Sequence, residues 1–454
     1  MRPGERIDLQ CADLDDEGAG VTAPPRIHVA GALPGERVGA TVAHVSAHRA
    51  EAWAELETIE AASPDRRPPA CPAFGACGGC VLQHLAYDAQ LAWKRNRVAR
   101  ALDAQADLAG RPPLVAPCVG SPRALGYRNR SKLVAARVAG KLILGAYAPR
   151  THRVVDLAGC RIAEPPLDDT ATALRAILDA AGVRPYDERT AGGDLRYVVL
   201  RANRQGQVLA VWVVARPLSE GEALARAFRA ARPEVLGVVE HQNRSQGNAI
   251  FSESGHDRLL AGTATFDDRL DVGGRALRLR LSPGAFFQAN REVAELAYAE
   301  IARALAVTPT ERAVDAYSGA GAIALTLARD AAEVIGIESH AGAVADATAS
   351  AEMNGIANAR FVAGDAAGSL ATVDRADVAV LNPPRKGCTP AVLGEVARLA
   401  PRAIAYLSCD PDTLARDLTR LARHGYRARA VTPFDMLPHT PHVETLVLLT
   451  RLAD

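Results

Sequence analysis

A glycine-rich segment between an apolar run and a helical pattern most strongly limits what the C-terminal third of this chain can fold into. The segment 311–324, ERAVDAYSGAGAIA, predicts a buried strand, a tight turn and then a helix. Gly319 and Gly321 allow the backbone to approach a ligand closely where the strand ends, which is where an open α/β sheet has its crevice. Because the spacing differs from the GxGxxG fingerprint of dinucleotide-binding proteins, it disfavours NAD.

The segments that follow predict further strands of the same sheet, and each strand ends in a polar or reactive side chain. Val334 to Glu338 ends in an acid placed to accept hydrogen bonds from ribose hydroxyls. Three later apolar runs precede Asp365, Asn382 and Cys409. The glycine loop and Glu338 together suit S-adenosylmethionine, and we expect the other three side chains at the same edge of the sheet.

A cysteine and a carboxylate near the C-terminus supply a candidate nucleophile and a candidate base. Cys409 stands in the segment LSCDP, and Glu444 ends the segment HTPHVE. A thiolate is suited to adding to an electron-poor conjugated carbon, and a carboxylate about one strand later can remove a proton from the neighbouring carbon. The pair therefore indicates covalent catalysis on a pyrimidine.

Four cationic or imidazole groups are candidates to assist this pair. An ordinary cysteine has a pKa of about 8.5, so we expect the site to favour the thiolate of Cys409. Arg385 or Lys386 is the candidate source of the positive charge that would do so. His439 and His442 are candidate orienting groups.

Three of the eight cysteines lie within ten residues of one another. The segment CPAFGACGGC carries Cys71, Cys77 and Cys80, and its small residues let several sulfurs converge on one ion or cluster. Without histidines at zinc-finger spacing, the thiolates suit either zinc or an iron–sulfur cluster. The charged Met1 to Gln10 lacks an apolar signal-peptide core, so we expect a reducing cytoplasm and no disulfides. The cysteines expected to serve only in packing are Cys11, Cys118 and Cys388.

Composition predicts a multidomain protein without a membrane span. The chain has 454 residues, 48% of them hydrophobic, which is enough for two or three cores. A net charge of +1 argues against a uniformly basic nucleic-acid binder, yet basic side chains concentrate between residues 89 and 132. This basic stretch predicts either phosphate binding or a solvated helix face. Its members are Lys94, Arg95, Arg97, Arg100, Arg111, Arg123, Arg128, Arg130 and Lys132.

Upstream of the glycine loop, the patterns predict two further units. Short strands separated by turns over residues 5–59 indicate a small β-barrel, and the proline-rich, charged residues 61–69 indicate a linker. Strands at 197–201, 208–214 and 235–241, with helices at 168–181 and 220–231, predict a middle α+β domain. We expect this domain to form a second wall of the substrate cleft.

In combination, these motifs resemble the RNA uracil-C5 methyltransferases, which form 5-methyluridine in transfer and ribosomal RNA. The resemblance covers nearly the whole chain. It implies an N-terminal OB-like RNA-binding β-barrel of the TRAM type in residues 1–62, carried by DLDDEGAGV and VAGALPGERV. It also implies a central α+β domain with an iron–sulfur site in residues 63–280. Residues 281–454 would form the Rossmann-like class I methyltransferase domain, with segment 89–125 packed on it.

The resemblance assigns roles to individual residues. Cys409 would be the nucleophile and Glu444 the general base, and Arg385 would contact the substrate. The segment SPGAFFQAN matches the one whose aromatic residue, Phe286, would contact uracil. The implied cofactor-binding residues are Gln288, Tyr317, Gly319, Gly321, Glu338, Asp365 and Asn382. The segment DLAGC would supply the fourth ligand of a [4Fe-4S] cluster, whose ligands would be Cys71, Cys77, Cys80 and Cys160.

Two positions depart from the family pattern. Asn382 stands where the family usually has an aspartate, and Ala322 where some members have a polar side chain that contacts the cofactor. Asn-Pro-Pro also occurs in amino methyltransferases that act on an adenine or a protein amide, although Arg385 replaces their aromatic residue here. Such enzymes need no cysteine nucleophile. A second alternative is an RNA-binding or assembly factor whose methyltransferase site has decayed.

The sequence thus predicts a cytoplasmic, monomeric enzyme that methylates uracil C5 in structured RNA with S-adenosylmethionine. The barrel and the iron–sulfur site favour ribosomal RNA over transfer RNA as the partner, and 23S ribosomal RNA is the expected substrate.

Overall fold

The computed structural model describes residues 1–105, 113–245, 249–252 and 255–452, and within these ranges the strands form four β-sheets. Arg111 of the basic stretch lies outside the described residues. The strands are β1 (Arg6–Gln10), β2 (Asp13–Leu14), β3 (Gly20–Val21), β4 (Arg26–Val29), β5 (Arg37–Val45), β6 (Glu51–Ala61), β7 (Arg130–Val138), β8 (Lys141–Tyr147), β9 (Val154–Asp156), β10 (Leu195–Ala202), β11 (Val208–Val214), β12 (Val235–Gln242), β13 (His256–Gly262), β14 (Phe266–Val272), β15 (Arg275–Leu281), β16 (Arg312–Asp315), β17 (Glu333–Glu338), β18 (Ala359–Ala363), β19 (Val378–Leu381), β20 (Ala403–Ser408), β21 (Tyr426–Phe434) and β22 (Glu444–Arg451). The helices are α1 (Tyr87–Asp103), α2 (Pro165–Ala180), α3 (Gly221–Ala231), α4 (Arg291–Leu305), α5 (Ala322–Ala328), α6 (Ala341–Met353), α7 (Ala366–Ala371), α8 (Pro390–Leu399) and α9 (Pro411–Arg423).

The first sheet contains the N-terminal strands in the order β1-β5-β6-β4-β3-β2. Its small core is made by the alternating apolar residues of these strands and includes the buried Cys11. Arg66, from the predicted linker, donates to the fully buried carboxylate of Glu36, with 2.5 Å between Nε and Oε1. This ion pair anchors the segment that follows β6 to the first sheet.

The central sheet has the order β13-β12-β11-β10-β7-β8-β9. Its strands β10 and β11 are buried along their whole length, as their nearly continuous runs of apolar residues require. Helices α2 and α3 share one core with these strands. The strands and helices predicted for the middle of the chain all form, with ends that match or differ by at most three residues.

The last sheet has the order β18-β17-β16-β19-β20-β22-β21. The first five of these strands run parallel, whereas β22 is antiparallel to both of its neighbours, β20 and β21. Separate cores cover its two faces. The strand order reverses between β16 and β19, so the crevice that binds ligands in doubly wound sheets is expected at the carboxyl ends of these strands. No helix in the described part of the chain has both the length and the apolarity needed to cross a bilayer.

Helix α1 packs on this last sheet, and much of the basic stretch is neutralised as a result. Val98 and Leu102 belong to the same core as α8 and α9. Lys94 is fully buried and forms an ion pair with Asp435, which is also fully buried. Three further cations form ion pairs, in the combinations Arg97 with Asp16 and Asp412, Arg100 with Asp13, and Arg123 with Glu292. Arg95 instead donates to the carbonyl oxygen of Val115. The prediction that the basic stretch binds phosphate is therefore wrong for Lys94, and the upstream arginines are engaged within the protein.

We expect Lys94→Met to lower the midpoint of thermal unfolding by about 10 °C, because it leaves the Asp435 carboxylate buried without its partner, at a cost of about 3–5 kcal/mol. Adding Asp435→Asn should recover much of the loss, since no unpaired charge then remains. Scanning calorimetry measures both midpoints, and Lys141→Met on the exposed start of β8 is the matched control. Equal shifts for the two lysine variants would contradict the assignment.

Candidate active site

The pairing of β20 with β22 brings Cys409 and Glu444 to neighbouring positions. Ser408, the last residue of β20, is opposite Thr445 in the antiparallel register. Cys409 follows Ser408 and Glu444 precedes Thr445, so the two occupy the next position across the strands. The sequence identifies the two residues as candidates, and the strand register shows that they are neighbours.

The electrostatic environment of Cys409 is the opposite of the one we expected from the sequence. Burial and the nearby carboxylate of Glu444 raise the pKa of the Cys409 thiol to about 11, and the positive charge of Arg385 only partly offsets them. Burial raises the pKa of Glu444 to about 7, and its Oε2 atom has no hydrogen-bond partner among the described residues. Without substrate, Cys409 is therefore a protonated thiol at neutral pH.

His442 and His439 have different surroundings. A guanidinium nitrogen of Arg385, Nη2, lies 3.2 Å from His442 Nε2. Burial, followed by the charge of Arg385, lowers the pKa of His442 to about 4, so the imidazole is neutral and can accept a hydrogen bond from the arginine. His439 is instead buried against α1, where its amide donates to Gln90 Oε1 at 3.0 Å. Of the two histidines, His442 is the one in contact with a predicted site residue.

The predicted cofactor residues follow adjacent strands at one edge of the sheet. In the glycine loop, the Gly319 amide donates to Glu338 Oε2 at 3.1 Å, which joins the ends of β16 and β17. Gly321 has φ of +85°, and a Cβ there would come within 2.9 Å of the Phe361 ring. Glycine is therefore required at this position both by conformation and by packing. Asp365 caps α7 by accepting from the Gly368 amide at 2.8 Å.

Tyr317 and Asn382 complete this edge. Tyr317 is half-buried after β16 and lies near the buried Cys388, and burial raises the pKa of its hydroxyl. Asn382 follows β19 directly and is also half-buried. The edge thus carries side chains from the ends of successive parallel strands, as the sequence predicts.

The segment SPGAFFQAN lies against the glycine loop. A Cβ on Gly319 would be 3.9 Å from the carbonyl oxygen of Phe286. The Phe286 side chain is 58% exposed, whereas Gln288 is buried. Asn290 ends the segment by capping α4, with its side chain accepting from the Val293 amide. The segment therefore presents one aromatic ring to solvent beside the loop.

Helix α9, which begins two residues after Cys409, holds the loop that contains Arg385. Thr413 Oγ1 donates to the Arg385 carbonyl oxygen at 3.0 Å, and Arg416 donates to that of Lys386 at 2.8 Å. The fully buried Asp417 accepts from the Cys388 amide at 2.7 Å. Sequence analysis missed these supporting residues, because a polar residue within an amphipathic helix carries no signal of its partner.

Comparisons with known proteins agree with this geometry. The family model for tRNA (uracil-5-)-methyltransferases matches residues 238–452. An uncharacterized RNA methyltransferase from Geobacter sulfurreducens is 38% identical, over 99% of this chain and 90% of the relative. One from Listeria innocua is 34% identical, over 99% of this chain and 98% of the relative. The crystal structure of Pyrococcus abyssi tRNA (uracil-54, C5)-methyltransferase in complex with S-adenosyl-L-homocysteine superposes with a TM-score of 0.78 at 25% identity, covering 98% of this chain and all of that one. The chain belongs to the RNA uracil-C5 methyltransferase family.

Membership in the RNA uracil-C5 methyltransferase family confirms the predicted enzyme class and S-adenosylmethionine as the methyl donor. The last sheet is the mixed sheet of a class I methyltransferase within a multidomain chain. Family membership therefore argues against the alternative suggested by the Asn-Pro-Pro motif, which is methylation of an adenine or a protein amide.

The four cysteines of the predicted cluster line one cavity of about 310 Å³ in this uracil-C5 methyltransferase. Burial raises the pKa of Cys80 to about 11, and Cys160, Cys77 and Cys71 act on it in the same direction. Within the described ranges, no three cysteine, histidine or acidic side chains are close enough to hold a metal ion. Thiolates are the usual ligands of iron–sulfur clusters, and the cluster predicted from the sequence stays a prediction.

Proposed function

We propose that this enzyme forms 5-methyluridine in structured RNA through a covalent bond between Cys409 and C6 of the target uracil. The neighbouring positions of Cys409 and Glu444 across β20 and β22 are the observation that carries the proposal. They stand at the edge of the sheet that also carries the glycine loop. A nucleophile and a base are thus available close to the expected position of the methyl donor.

The reaction follows from the chemistry of these groups. The Cys409 thiol first gives up its proton to solvent. The thiolate sulfur then forms a bond to C6, and the electron pair of the C5–C6 double bond moves to the C4 carbonyl to give an enolate. C5 of the enolate then attacks the methyl group of S-adenosylmethionine and releases S-adenosylhomocysteine. Glu444 takes the proton from C5. The electron pair of the C5–H bond then re-forms the C5–C6 double bond and expels the Cys409 thiolate. Arg385 favours the thiolate form of Cys409.

The supporting roles are those implied by the family resemblance. The exposed ring of Phe286 suits stacking on the target uracil. Arg385, whose charge acts on Cys409, is proposed to contact the same base. The residues proposed to hold the methyl donor are Gln288, Tyr317, Gly319, Gly321, Glu338, Asp365 and Asn382. Asn382 keeps the hydrogen-bonding capacity of the usual aspartate without its charge.

We extend the proposal to the upstream units. Residues 1–62 form the TRAM-type RNA-binding barrel, residues 63–280 the central domain, and residues 281–454 the catalytic domain. Cys71, Cys77, Cys80 and Cys160 hold a [4Fe-4S] cluster. Their placement around one cavity supports this assignment. The cluster has a structural or RNA-positioning role, because methyl transfer by the proposed route moves no net electron.

Ribosomal RNA is the proposed substrate, and transfer RNA is the competing one. The barrel and the cluster favour ribosomal RNA. The Pyrococcus abyssi relative acts on uracil 54 of transfer RNA, which makes that nucleotide the first transfer-RNA target to examine. Both RNA classes therefore belong in the test.

The proposal is tested by mixing the enzyme with S-adenosylmethionine and 5-fluorouridine-substituted RNA. Fluorine at C5 cannot leave as a proton, so the methylated adduct should remain attached to Cys409 and appear as a protein–RNA species by intact-mass analysis. Fragments of 23S ribosomal RNA and whole transfer RNA are compared. Binding of S-adenosylhomocysteine without an adduct on any RNA would reject the covalent route, and failure to bind it would favour a decayed factor.

A further inference from the structure

Three cations of the central sheet lie together on one face. Arg130 and Lys132 belong to β7, and Arg201 belongs to β10. The antiparallel register places Arg201 directly opposite Arg130. Lys132 is two residues from Arg130, so its side chain projects from the same face of the strand. We call this group the cationic face.

The cationic face differs from the upstream part of the basic stretch, because its arginines have no acidic partner among the described residues. Arg201 is only 4% exposed, and it donates through Nη2 to the carbonyl oxygen of Ala285. Its Nε and Nη1 atoms, and Nε of Arg130, are buried and have no hydrogen-bond partner in the described part of the chain. Buried arginine nitrogens are normally paired, so these atoms indicate an absent acceptor.

The electrostatics of the cationic face are unfavourable in the free protein. Burial, together with the charge of Arg128, lowers the pKa of Arg130 to about 10. Burial and the charge of Arg130 lower the pKa of Arg201 to about 9. Like charges directly opposite one another destabilise a sheet. An anion bound between these side chains would relieve both the repulsion and the missing hydrogen bonds.

The nearest carboxylates are engaged elsewhere. Asp268 lines a small cavity beside the two arginines, but its Oδ2 accepts from Arg291 Nε at 2.9 Å. Asp346 acts on Arg201 through its charge, yet it accepts two hydrogen bonds from Ser282. The anion that completes the cationic face must therefore come from outside this part of the protein.

The cationic face borders the segment that presents Phe286. Arg201 holds the carbonyl oxygen of Ala285, the residue before Phe286. Asn129, the residue before Arg130, donates to the carbonyl oxygen of Gln288 at 3.0 Å. An anion on this face would thus lie close to the ring proposed to stack on the target base.

We propose that Arg130, Lys132 and Arg201 bind a backbone phosphate of the substrate RNA next to the nucleotide whose base enters the active site. This inference rests on the proposed function. A phosphodiester offers two charged oxygens, which suit the planar guanidinium groups of two opposed arginines. Arg128 is not included, because its charge opposes the raised pKa of Cys77 and so acts on the cysteines. Lys132 also lines the cysteine cavity, so the iron content of its variant is measured together with RNA binding.

The test compares Arg130→Gln and Lys132→Gln with Lys141→Gln, which removes the same charge from the exposed start of β8. Fluorescence anisotropy measures binding of a labelled oligouridylate of about 12 nucleotides, between about 50 and 300 mM KCl. We expect each site variant to weaken binding about tenfold at low salt. Each should also reduce the slope of log K against log salt by about 0.7, the value for one single-strand phosphate contact. Lys141→Gln should leave affinity and slope unchanged.

Stability separates a binding role from a structural one. Because Arg130 has no acidic partner among the described residues, Arg130→Gln should leave the melting midpoint of the free protein unchanged or raise it. A lowered midpoint, or loss of bound iron with oligouridylate affinity unchanged, would assign the arginine to the fold or to the cysteine cavity and overturn the proposal. So would equal losses in the Lys132 and Lys141 variants.

The fluorouridine experiment distinguishes failure of this site from failure of the proposed function. A covalent adduct with wild-type enzyme, combined with unaltered oligouridylate binding by both site variants, would reject the phosphate site alone. No adduct, combined with weakened binding by the site variants and intact binding by the control, would reject covalent methylation and support the phosphate site.

Discussion

Cys409→Ala should reduce the rate of 5-methyluridine formation by on the order of 10⁴-fold or more, while leaving S-adenosylhomocysteine binding nearly unchanged. Uracil C5 is a poor nucleophile, and only addition of a thiolate at C6 makes it reactive toward the methyl donor. Alanine removes that addition step without a large change in volume at the half-buried end of β20. Single-turnover transfer of a labelled methyl group to RNA measures the rate, and calorimetry measures cofactor binding.

Cys118→Ala is the matched control for this variant. Cys118 is also half-buried, and burial raises the pKa of its thiol to about 12, so it resembles Cys409 in environment but does not stand at the strand end. We expect its methyl-transfer rate to stay within about threefold of wild type. Methyl transfer by Cys409→Ala within tenfold of wild type would exclude a covalent route through this residue.

The raised pKa of Cys409 has a consequence for when the nucleophile forms. A thiol with a pKa of about 11 is almost entirely protonated at neutral pH, so substrate binding must shift the balance toward the thiolate. The leading causes of the raised pKa are burial and the charge of Glu444. Sequence analysis anticipated a cation near the thiol, Arg385, but neither the burial nor the proximity of Glu444 is visible without the strand register.

Most of the fold could be predicted from local sequence patterns. The strand at 312–315, the glycine turn and the helix after it follow from apolar periodicity and from two glycines with positive φ. The polar strand ends also follow, because parallel strands direct their carboxyl ends to one edge. Contacts between distant segments could not be predicted. Lys94 has the composition of an exposed helix residue, and only the tertiary structure places Asp435 beside it, 341 residues later.

The same distinction applies to the basic stretch. Its charge count was visible in the sequence, but its members divide into two groups according to their partners. Arg97 and Arg100 meet carboxylates from other elements, whereas Arg130 meets another arginine across the sheet. Charge density along a chain therefore does not identify a phosphate site. Whether a basic side chain is free to bind phosphate depends on which residue lies next to it in the folded protein.

Glu444→Gln should allow methyl transfer but block its completion, because a neutral amide cannot take the proton from C5. We expect turnover to fall by about 10²–10⁴-fold, with a methylated protein–RNA adduct accumulating on RNA that contains ordinary uridine. Denaturing electrophoresis with a labelled methyl group detects the adduct. Glu352→Gln, on the exposed surface of α6, is the matched control and should behave as wild type. Slow turnover without any adduct would assign Glu444 to an earlier step.

The raised pKa of Glu444 predicts two further properties of the same variant. In the wild type, release of the adduct should accelerate as pH rises through about 7, since only the carboxylate is a base, and the variant should lose this dependence. Burial raises the pKa from 4.5 to about 7, so between these values the folded protein holds more protons than the unfolded chain. Its stability then falls as pH increases, and Glu444→Gln should raise the melting midpoint at pH 8 more than at pH 4. The charge that makes Glu444 a base therefore lowers the stability of the fold at neutral and alkaline pH.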